Sequence, residues 1–146
     1  MRILHLCTVQ FLATMKMKKT ILLIDDDLDE HEWFREALQS YDNSICCITA
    51  NNCTEAIELI RDIPADVIFL DFKMCPLNGL ECLKIIKQTP SMIDIPVYMY
   101  TVTKTTQEER DKALELGAVK WIAKPKKFDD YHKMFIEALI TYPSSI

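Results

Sequence analysis

The sequence predicts an α/β fold, in which a doubly wound parallel sheet of five strands carries helices on both faces. From Thr20 onward, short apolar runs of strand length alternate with amphipathic stretches of helix length. The central run, Val67–Leu70, is apolar without interruption and consists of β-branched, aromatic and leucine residues, which is typical of a strand buried on both faces. Strands that alternate with helices in this way run parallel and are joined by right-handed crossovers.

The individual elements follow from hydrophobic periodicity and from local start and stop signals. The strands are predicted at Ile21–Ile24, Ile45–Thr49, Val67–Leu70, Pro96–Tyr100 and Val119–Ala123. The helices are predicted over about Leu28–Tyr41, after Asn52, after Asn78, from Thr105 or Thr106 to Leu116, and from Phe128 to Ile140. Asn52 and Asn78 are each followed three residues later by Glu, the pattern of a capped helix start, and Gly117 is a typical helix stop.

Composition is that of a soluble globular protein and limits the possible partners. The chain has 146 residues, 49% hydrophobic and 27% charged, enough for one domain with one core. A net charge of −5 argues against nucleic acid, because binding to phosphate backbones needs a basic face. The six cysteines include no Cys-x-x-Cys pair, so we expect buried, reduced thiols in a cytoplasmic protein, with Cys75, in the loop after Asp71, as the exception. The three histidines lie far apart, and His31 is expected on a helix surface.

The first residues do not fit the pattern of the domain. Residues 1–17 form a leader whose apolar segment is interrupted by His5 and Gln10 and is too short to span a membrane, so no membrane partner is expected. Because Met15 and Met17 closely precede the first strand, we expect translation to start at one of them. The domain is predicted over residues 18–142, and the tail, 143–146, is too short for a second domain.

Four of the five predicted strands end in polar side chains that can do chemistry. Asp25 and Asp26 follow the first strand, Asp71 the third, Thr101 the fourth and Lys124 the fifth. In a parallel sheet these ends lie along one edge, where open α/β sheets bind their ligands. Three carboxylates there would repel one another unless a cation neutralises them, and oxygen ligands of this kind suit Mg²⁺. Lys124 and Thr101 would then hold a phosphoryl group, and Asp71 could be the nucleophile that forms an acyl phosphate.

Each of these residues also has an ordinary structural explanation when it is taken alone. An aspartate after a strand often caps the next helix, as we expect for Asp27. A threonine can simply end a strand, and a lysine can be a solvated surface charge. The coincidence of functional residue types at four strand ends is the stronger indication.

Five motifs occur in the order and spacing of a known family. They are Leu-Leu-Ile-Asp-Asp-Asp, Val-Ile-Phe-Leu-Asp-x-x-Met, Asn-Gly-Leu-Glu, Ile-Pro-Val-x-Met-x-Thr and Gly-Ala-x-x-Trp-x-x-Lys-Pro. Over Lys18–Tyr142 the chain resembles the receiver domain of two-component response regulators, of the stand-alone, single-domain type. The resemblance implies a flavodoxin-like strand order, 2-1-3-4-5.

The resemblance also implies a function and a set of site residues. The protein would not be an enzyme but would accept a phosphoryl group from a histidine kinase or a histidine phosphotransfer protein. It would signal to an unknown downstream protein by protein–protein contact or by onward phosphorelay. By position, Asp71 resembles the phosphoacceptor and Asp25 and Asp26 the acidic pair, and these three with the backbone carbonyl of Lys73 would bind Mg²⁺.

Further positions match the part of the family's site that holds and senses phosphate. Thr101 matches the phosphate-sensing hydroxyl and Lys124 the phosphate-binding lysine, and Trp121 falls at the position of the switch aromatic. One departure lies in the loop after the phosphoacceptor, where Cys75 replaces a proline of the family and Pro76 follows it.

Two other functions stay open at this point. A haloacid-dehalogenase-like phosphatase also has Asp-x-Asp after its first strand, here Asp25 and Asp27, and would use Asp25 as its nucleophile. That alternative leaves Asp71 unexplained and lacks the later acidic metal motif. The third possibility is a receiver-like module that binds its partner without being phosphorylated.

Overall fold

The computed structural model of the chain describes residues 19–102 and 104–141. The predicted leader (1–17) and tail (143–146) lie outside the described residues, so the domain boundaries and the expected translation start stay predictions. Within the described ranges, no helix has the length and apolar character needed to cross a bilayer.

The sheet has the predicted topology. It consists of β1 (Thr20–Ile24), β2 (Cys46–Ala50), β3 (Val67–Asp71), β4 (Val97–Thr101) and β5 (Lys120–Ala123). Neighbouring strands are all parallel and their order is β2-β1-β3-β4-β5, which confirms the predicted doubly wound sheet. Asp71 pairs with Tyr100 and Thr101 with Ala123, so the ends of β3, β4 and β5 lie at one edge.

The helices begin at the capping residues that the sequence marks. They are α1 (Leu28–Tyr41), α2 (Cys53–Asp62), α3 (Gly79–Ile86), α4 (Gln107–Glu115) and α5 (Phe128–Thr141). The Asp27, Asn52 and Asn78 side chains accept hydrogen bonds from backbone amides of the first turns of α1, α2 and α3. Of the two threonines considered for α4, Thr106 is the cap, and it forms a complete capping box.

The two faces of the sheet are packed differently. Helices α1 and α5 cover a face that is rich in aromatic rings, and α2, α3 and α4 cover a mainly aliphatic face. On the aromatic face, the Phe34 ring meets that of Phe69 edge to face, with centroids 5.3 Å apart, and contacts Phe135 in the same way. Strand β3 is buried along its whole length between these layers, which presents Asp71 from a rigid support.

One expectation from the sequence is wrong: His31 is buried rather than on the helix surface. Its Nε2 lies 2.6 Å from the backbone oxygen of Asp25. The physical reason is helical spacing, because His31 precedes Phe34 by three positions and Leu38 by seven and so lies on the face of α1 that packs against the sheet.

The cysteine prediction holds in part. The five cysteines within the described ranges are free thiols, as expected. Cys53 and Cys82 are buried and Cys75, the expected exception, is exposed, but Cys46 is also exposed and Cys47 is half-buried.

Candidate functional site

Three carboxylates meet at the carboxyl ends of β1 and β3. Asp25 is fully buried, Asp71 is 5% exposed, and Asp26 is exposed to solvent. One oxygen from each side chain lies within 4.8 Å of the others. The sheet order produces this cluster, because β1 and β3 are neighbours and end at the same edge.

Lys124 enters the same site from the end of β5. Its Nζ lies 2.5 Å from Oδ2 of Asp25 and 3.5 Å from Oδ1 of Asp71. The side chain is only 7% exposed, so the ordinary explanation of a solvated surface lysine is wrong. The Lys124 amide donates to the Thr101 carbonyl at 3.0 Å, which fixes the chain just after β5 against the end of β4.

The Asp25 side chain is held from two sides. Its Oδ1 accepts a hydrogen bond from the Asp27 amide at 2.9 Å, while its Oδ2 faces Lys124. Its own amide donates to the Ala50 carbonyl at 3.0 Å. Asp27 therefore serves the helix cap and supports Asp25 through its backbone, and its carboxylate is not part of the cluster.

Burial and the neighbouring charges shift the pKa values of Asp71 and Lys124. Burial, and next the charge of Asp25, raise the pKa of Asp71 to about 7, although Lys124 acts in the opposite direction. Burial lowers the pKa of Lys124, but its hydrogen bond to Asp25 and the charges of Asp25 and Asp71 more than reverse this effect, so its pKa is raised. Lys124 is therefore a charged ammonium group. Near neutral pH and without metal, a proton bound to the carboxylate cluster partly neutralises its negative charge.

The carboxylate cluster fits a divalent cation of the Mg²⁺ type. All its donors are hard oxygens, burial together with the charge of Asp25 raises the pKa of Asp71, and the exposed Asp26 leaves one side open to solvent. Lys73 follows two residues after Asp71 with its side chain exposed, and its carbonyl stays a predicted ligand. The loop continues through Cys75 and Pro76, which a cis peptide bond joins.

The two predicted switch residues occupy different surroundings. Thr101 is buried at the end of β4, beside the backbone of Lys124. Trp121 on β5 is half-buried, and its Nε1 donates to the Arg110 carbonyl of α4 at 3.3 Å. Its ring also meets Phe72 edge to face at 5.3 Å, so Trp121 connects α4 with the residue that follows Asp71.

Sequence reasoning missed Gly79, the first residue of α3. Its amide donates to the Phe72 carbonyl at 2.7 Å, and a Cβ built on it would lie 2.5 Å from the Asp71 carbonyl oxygen. The signal was present, because the chain has only two glycines and one directly follows the Asn78 cap. What the sequence could not supply was the close approach of α3 to the backbone of β3.

Comparison with known families identifies this arrangement. The family model of the response regulator receiver domain matches residues 21–136. The chain belongs to this family. Receiver domains are phosphoacceptor signalling domains of two-component systems, and aspartate phosphorylation and Mg²⁺ binding at an acidic cluster are typical of them.

Curated relatives of this receiver domain are longer proteins. The chain is 35% identical over 107 residues to protein-glutamate methylesterase/protein-glutamine glutaminase 3 of Burkholderia thailandensis, covering 73% of this chain and 29% of that protein. It is 33% identical to the phosphate regulon transcriptional regulatory protein PhoB of Pseudomonas aeruginosa, covering 73% and 45%. The chain thus matches less than half the length of either relative.

Solved structures agree with the receiver fold. The signal receiver domain of a DNA-binding response regulator from Colwellia psychrerythraea superposes with a TM-score of 0.72 at 27% identity, covering 85% of this chain and 99% of that one. Chemotaxis protein CheY4 of Vibrio cholerae gives 0.74 at 24% identity, covering 84% and 99%, and at that identity the likeness supports the fold alone.

The raised pKa of Asp71 predicts an unusual pH dependence of stability in the metal-free receiver domain. Between the ordinary value of 3.8 and about 7, the folded state keeps a proton that the unfolded chain releases. The Asp71 contribution to the free energy of unfolding therefore falls as the pH rises through this window, by on the order of 1–2 kcal/mol after solvent screening. Urea unfolding with EDTA near pH 5 and pH 8 measures it, as the difference between wild type and Asp71→Asn. A difference that does not change with pH would contradict the prediction.

Proposed function

We propose that this receiver domain accepts a phosphoryl group on Asp71 from the phosphohistidine of a histidine kinase or a histidine phosphotransfer protein, in a Mg²⁺-dependent reaction. The observation that carries the proposal is the position of the Lys124 ammonium, 2.5 Å from Asp25 and 3.5 Å from Asp71. A single cation shared by a buried carboxylate and the proposed nucleophile lies where the oxygens of a phosphoryl group on Asp71 would need neutralising.

The chain's own residues supply most of the proposed chemistry. An oxygen of the Asp71 carboxylate forms the new bond to phosphorus, the bond from phosphorus to the donor imidazole breaks in line, and its electron pair stays on the imidazole nitrogen. Lys124 and the Thr101 hydroxyl would bind the phosphoryl oxygens. Asp25, Asp26, Asp71 and the Lys73 carbonyl would hold Mg²⁺, which when bound neutralises charge on the carboxylates and on the transferred group.

Signalling would follow from movement of the two predicted switch residues. Thr101 would shift toward the phosphoryl group, and Trp121 would leave its present contact with the Arg110 carbonyl and repack the face made by α4, β5 and α5. We propose a single-domain regulator over residues 18–142 that acts in the cytoplasm. Its output would be contact with a downstream protein or onward transfer in a phosphorelay, without nucleic acid or a membrane as partner.

The direct test is labelling of the full chain by acetyl phosphate and by purified histidine kinases of the source organism, each with and without Mg²⁺. We expect a hydroxylamine-sensitive acyl phosphate that forms only when Mg²⁺ is present. Labelling that survives hydroxylamine, or that is equally fast in EDTA, would overturn the proposal.

The proposed switch predicts a fluorescence change at Trp121. The chain has two tryptophans, and the Trp33→Phe variant leaves Trp121 as the only one. Beryllofluoride with Mg²⁺, a mimic of the phosphorylated state, should then change the emission, because the indole loses its hydrogen bond to Arg110. The matched variant Trp121→Phe, which keeps the exposed Trp33, should show no change. Equal responses from the two variants would remove Trp121 from the switch.

The geometry disfavours the phosphatase alternative. Asp25, its nucleophile, is fully buried, which leaves no access for a phosphomonoester from solvent. A phosphatase would turn over p-nitrophenyl phosphate and lose this activity in Asp25→Asn. A binding module that works without phosphorylation would show neither acetyl phosphate labelling nor a response to beryllofluoride.

A further inference from the structure

A fourth carboxylate, Glu30, lies beside the site without belonging to the cluster of possible cation ligands. Glu30 is in the first turn of α1 and is half-buried. Its Oε1 accepts hydrogen bonds from the hydroxyls of Tyr100, at 2.5 Å, and Tyr131, at 3.0 Å. Both tyrosine side chains are buried, so α1, β4 and α5 meet at a single carboxylate oxygen.

Tyr100 connects this carboxylate to the phosphate-binding lysine. The Nζ of Lys124 lies 5.4 Å from the centroid of the Tyr100 ring, within the distance at which a cation is attracted to an aromatic face. Tyr100 directly precedes Thr101 on β4 and is packed in the aromatic face of the core. The Lys124 ammonium therefore contacts an aromatic ring as well as the carboxylates of Asp25 and Asp71.

The hydrogen bond to Glu30 strengthens this contact in two ways. It fixes the rotation of the Tyr100 ring, and donation of a phenol proton toward a carboxylate increases the electron density that the ring presents to a cation. The negative charge of Glu30 also acts on Lys124 directly. With Asp25 and Asp71, it belongs to the charges that outweigh burial and raise the pKa of Lys124.

We propose that Glu30 and Tyr100 are positioning residues for Lys124, holding its ammonium group where it meets the oxygens of a phosphoryl group on Asp71. The inference rests on the proposed function, because it describes how the same site binds the phosphoryl group. It implies a division of roles: Asp25, Asp26 and Asp71 hold Mg²⁺, whereas Glu30 and Tyr100 affect only the binding of the anion, through Lys124.

A purely structural role is the competing explanation, since a buried tyrosine that joins β4 to α1 also stabilises the fold. The two roles differ in what they change. Loss of packing lowers stability and loosens the whole site, so that the affinities for cation and anion fall together. Loss of lysine positioning weakens binding of the anion while binding of Mg²⁺ stays the same.

The test is calorimetric titration of the full chain, first with Mg²⁺ alone and then with beryllofluoride at saturating Mg²⁺. Tyr100→Leu should weaken beryllofluoride binding by about three- to ten-fold, the range expected for loss of a cation–aromatic contact. Glu30→Gln and Tyr100→Phe disturb the hydrogen bond between the two residues but keep the aromatic ring, and each should weaken beryllofluoride binding by about two- to three-fold. The affinity for Mg²⁺ alone should change by less than about two-fold in all three variants, because none of these groups is a ligand.

Two matched controls separate positioning from packing. Tyr98→Leu removes the same buried ring two residues earlier in β4, in the same aromatic layer of the core, and Glu32→Gln removes the same charge from an exposed position of α1. Neither should change beryllofluoride affinity, although Tyr98→Leu should lower the melting temperature about as much as Tyr100→Leu. Should Tyr100→Leu fail to fold, Glu30→Gln and Tyr100→Phe carry the test.

The possible outcomes lead to different conclusions. Three results would overturn the positioning role while the proposed function stands. They are an equal loss of beryllofluoride affinity in Tyr98→Leu and Tyr100→Leu, a parallel loss of the affinities for Mg²⁺ and beryllofluoride, and a wild-type beryllofluoride affinity in Glu30→Gln. Wild-type protein that does not bind beryllofluoride at all would overturn the proposed function, and the positioning role with it.

Discussion

Replacing Asp71 by asparagine is expected to reduce phosphoryl labelling of the chain to background. The amide nitrogen and oxygen of asparagine fill the space of the carboxylate, but the residue has no anionic oxygen to attack phosphorus. The variant also removes the charge that is disfavoured by burial and by repulsion from Asp25, so the metal-free protein should become more stable near pH 8 by on the order of 1–2 kcal/mol. Loss of labelling in a better folded protein cannot be attributed to unfolding.

A neighbouring aspartate supplies the control for this experiment. Asp27→Asn makes the same chemical change close to the cluster, and because asparagine caps helices as well as aspartate does, α1 should keep its start. Labelling by acetyl phosphate with Mg²⁺, followed by phosphate-affinity electrophoresis, should give wild-type rates for Asp27→Asn and none for Asp71→Asn. Stoichiometric labelling of Asp71→Asn would place the acceptor elsewhere and end the case for Asp71.

Replacing Gly79 by alanine is expected to lower the free energy of unfolding by about 3 kcal/mol, whereas helix propensity alone would predict a stabilising effect. In an unobstructed helix the change from glycine to alanine stabilises by up to about 1 kcal/mol. Here the new Cβ would lie 2.5 Å from the Asp71 carbonyl oxygen and 2.7 Å from Cα of Phe72, both backbone atoms that no rotamer change can move. The steric overlap can be removed only if α3 moves away from the end of β3.

The same displacement should lower function in the molecules that stay folded. A shift of the Asp71 backbone moves the proposed nucleophile relative to Lys124, and misplacement by about 1 Å can cost as much as a hundred-fold in rate. We therefore expect labelling of folded Gly79→Ala to slow by at least about ten-fold. Urea unfolding measures the loss of stability, and single-turnover labelling at low temperature measures the rate.

Gly117→Ala is the matched control, since Gly117 is the other glycine of the chain. Its φ of +106° makes alanine costly through backbone strain, by about 1–2 kcal/mol, but the nearest atoms to a new Cβ belong to the flexible Lys87 side chain. This variant should lose stability and keep its labelling rate. Equal rates for Gly79→Ala and Gly117→Ala would show that the contact with Asp71 does not position the acceptor.

Much of the site could be predicted because its geometry follows from strand order. Asp25 and Lys124 are separated by 99 residues, yet each comes directly after a strand, and all strands of a parallel sheet end at the same edge. The residue types at the strand ends were therefore enough to predict that Asp71 lies close to Asp25 and Lys124. The same argument holds for the helix caps at Asn78 and Thr106, which depend on residues only three positions apart.

One residue was misjudged from the sequence, His31, and two others, Glu30 and Gly79, were not singled out there. His31, Glu30 and Gly79 all lie in first helical turns, where the direction of a side chain depends on how closely the helix approaches the sheet. Helical periodicity does place His31 on the buried face, three positions before Phe34 and seven before Leu38, but its polar side chain favoured a surface position. Glu30 looks like a solvated charge in a helix start, and nothing in the sequence indicates that Tyr100, 70 residues away, donates a hydrogen bond to it.

The sequence by itself determined the α/β class, the positions of the strands and helices and the acidic, hydroxyl and ammonium groups at one edge, because hydrophobic periodicity and capping act over a few residues. Only the tertiary structure decided that Lys124 is shared between Asp25 and Asp71, that Gly79 admits no side chain, and that Glu30 anchors the ring beneath the lysine. Those facts depend on distances of a few ångströms between parts of the chain that are far apart in sequence. Packing of the whole core determines these distances, and no local sequence pattern predicts them.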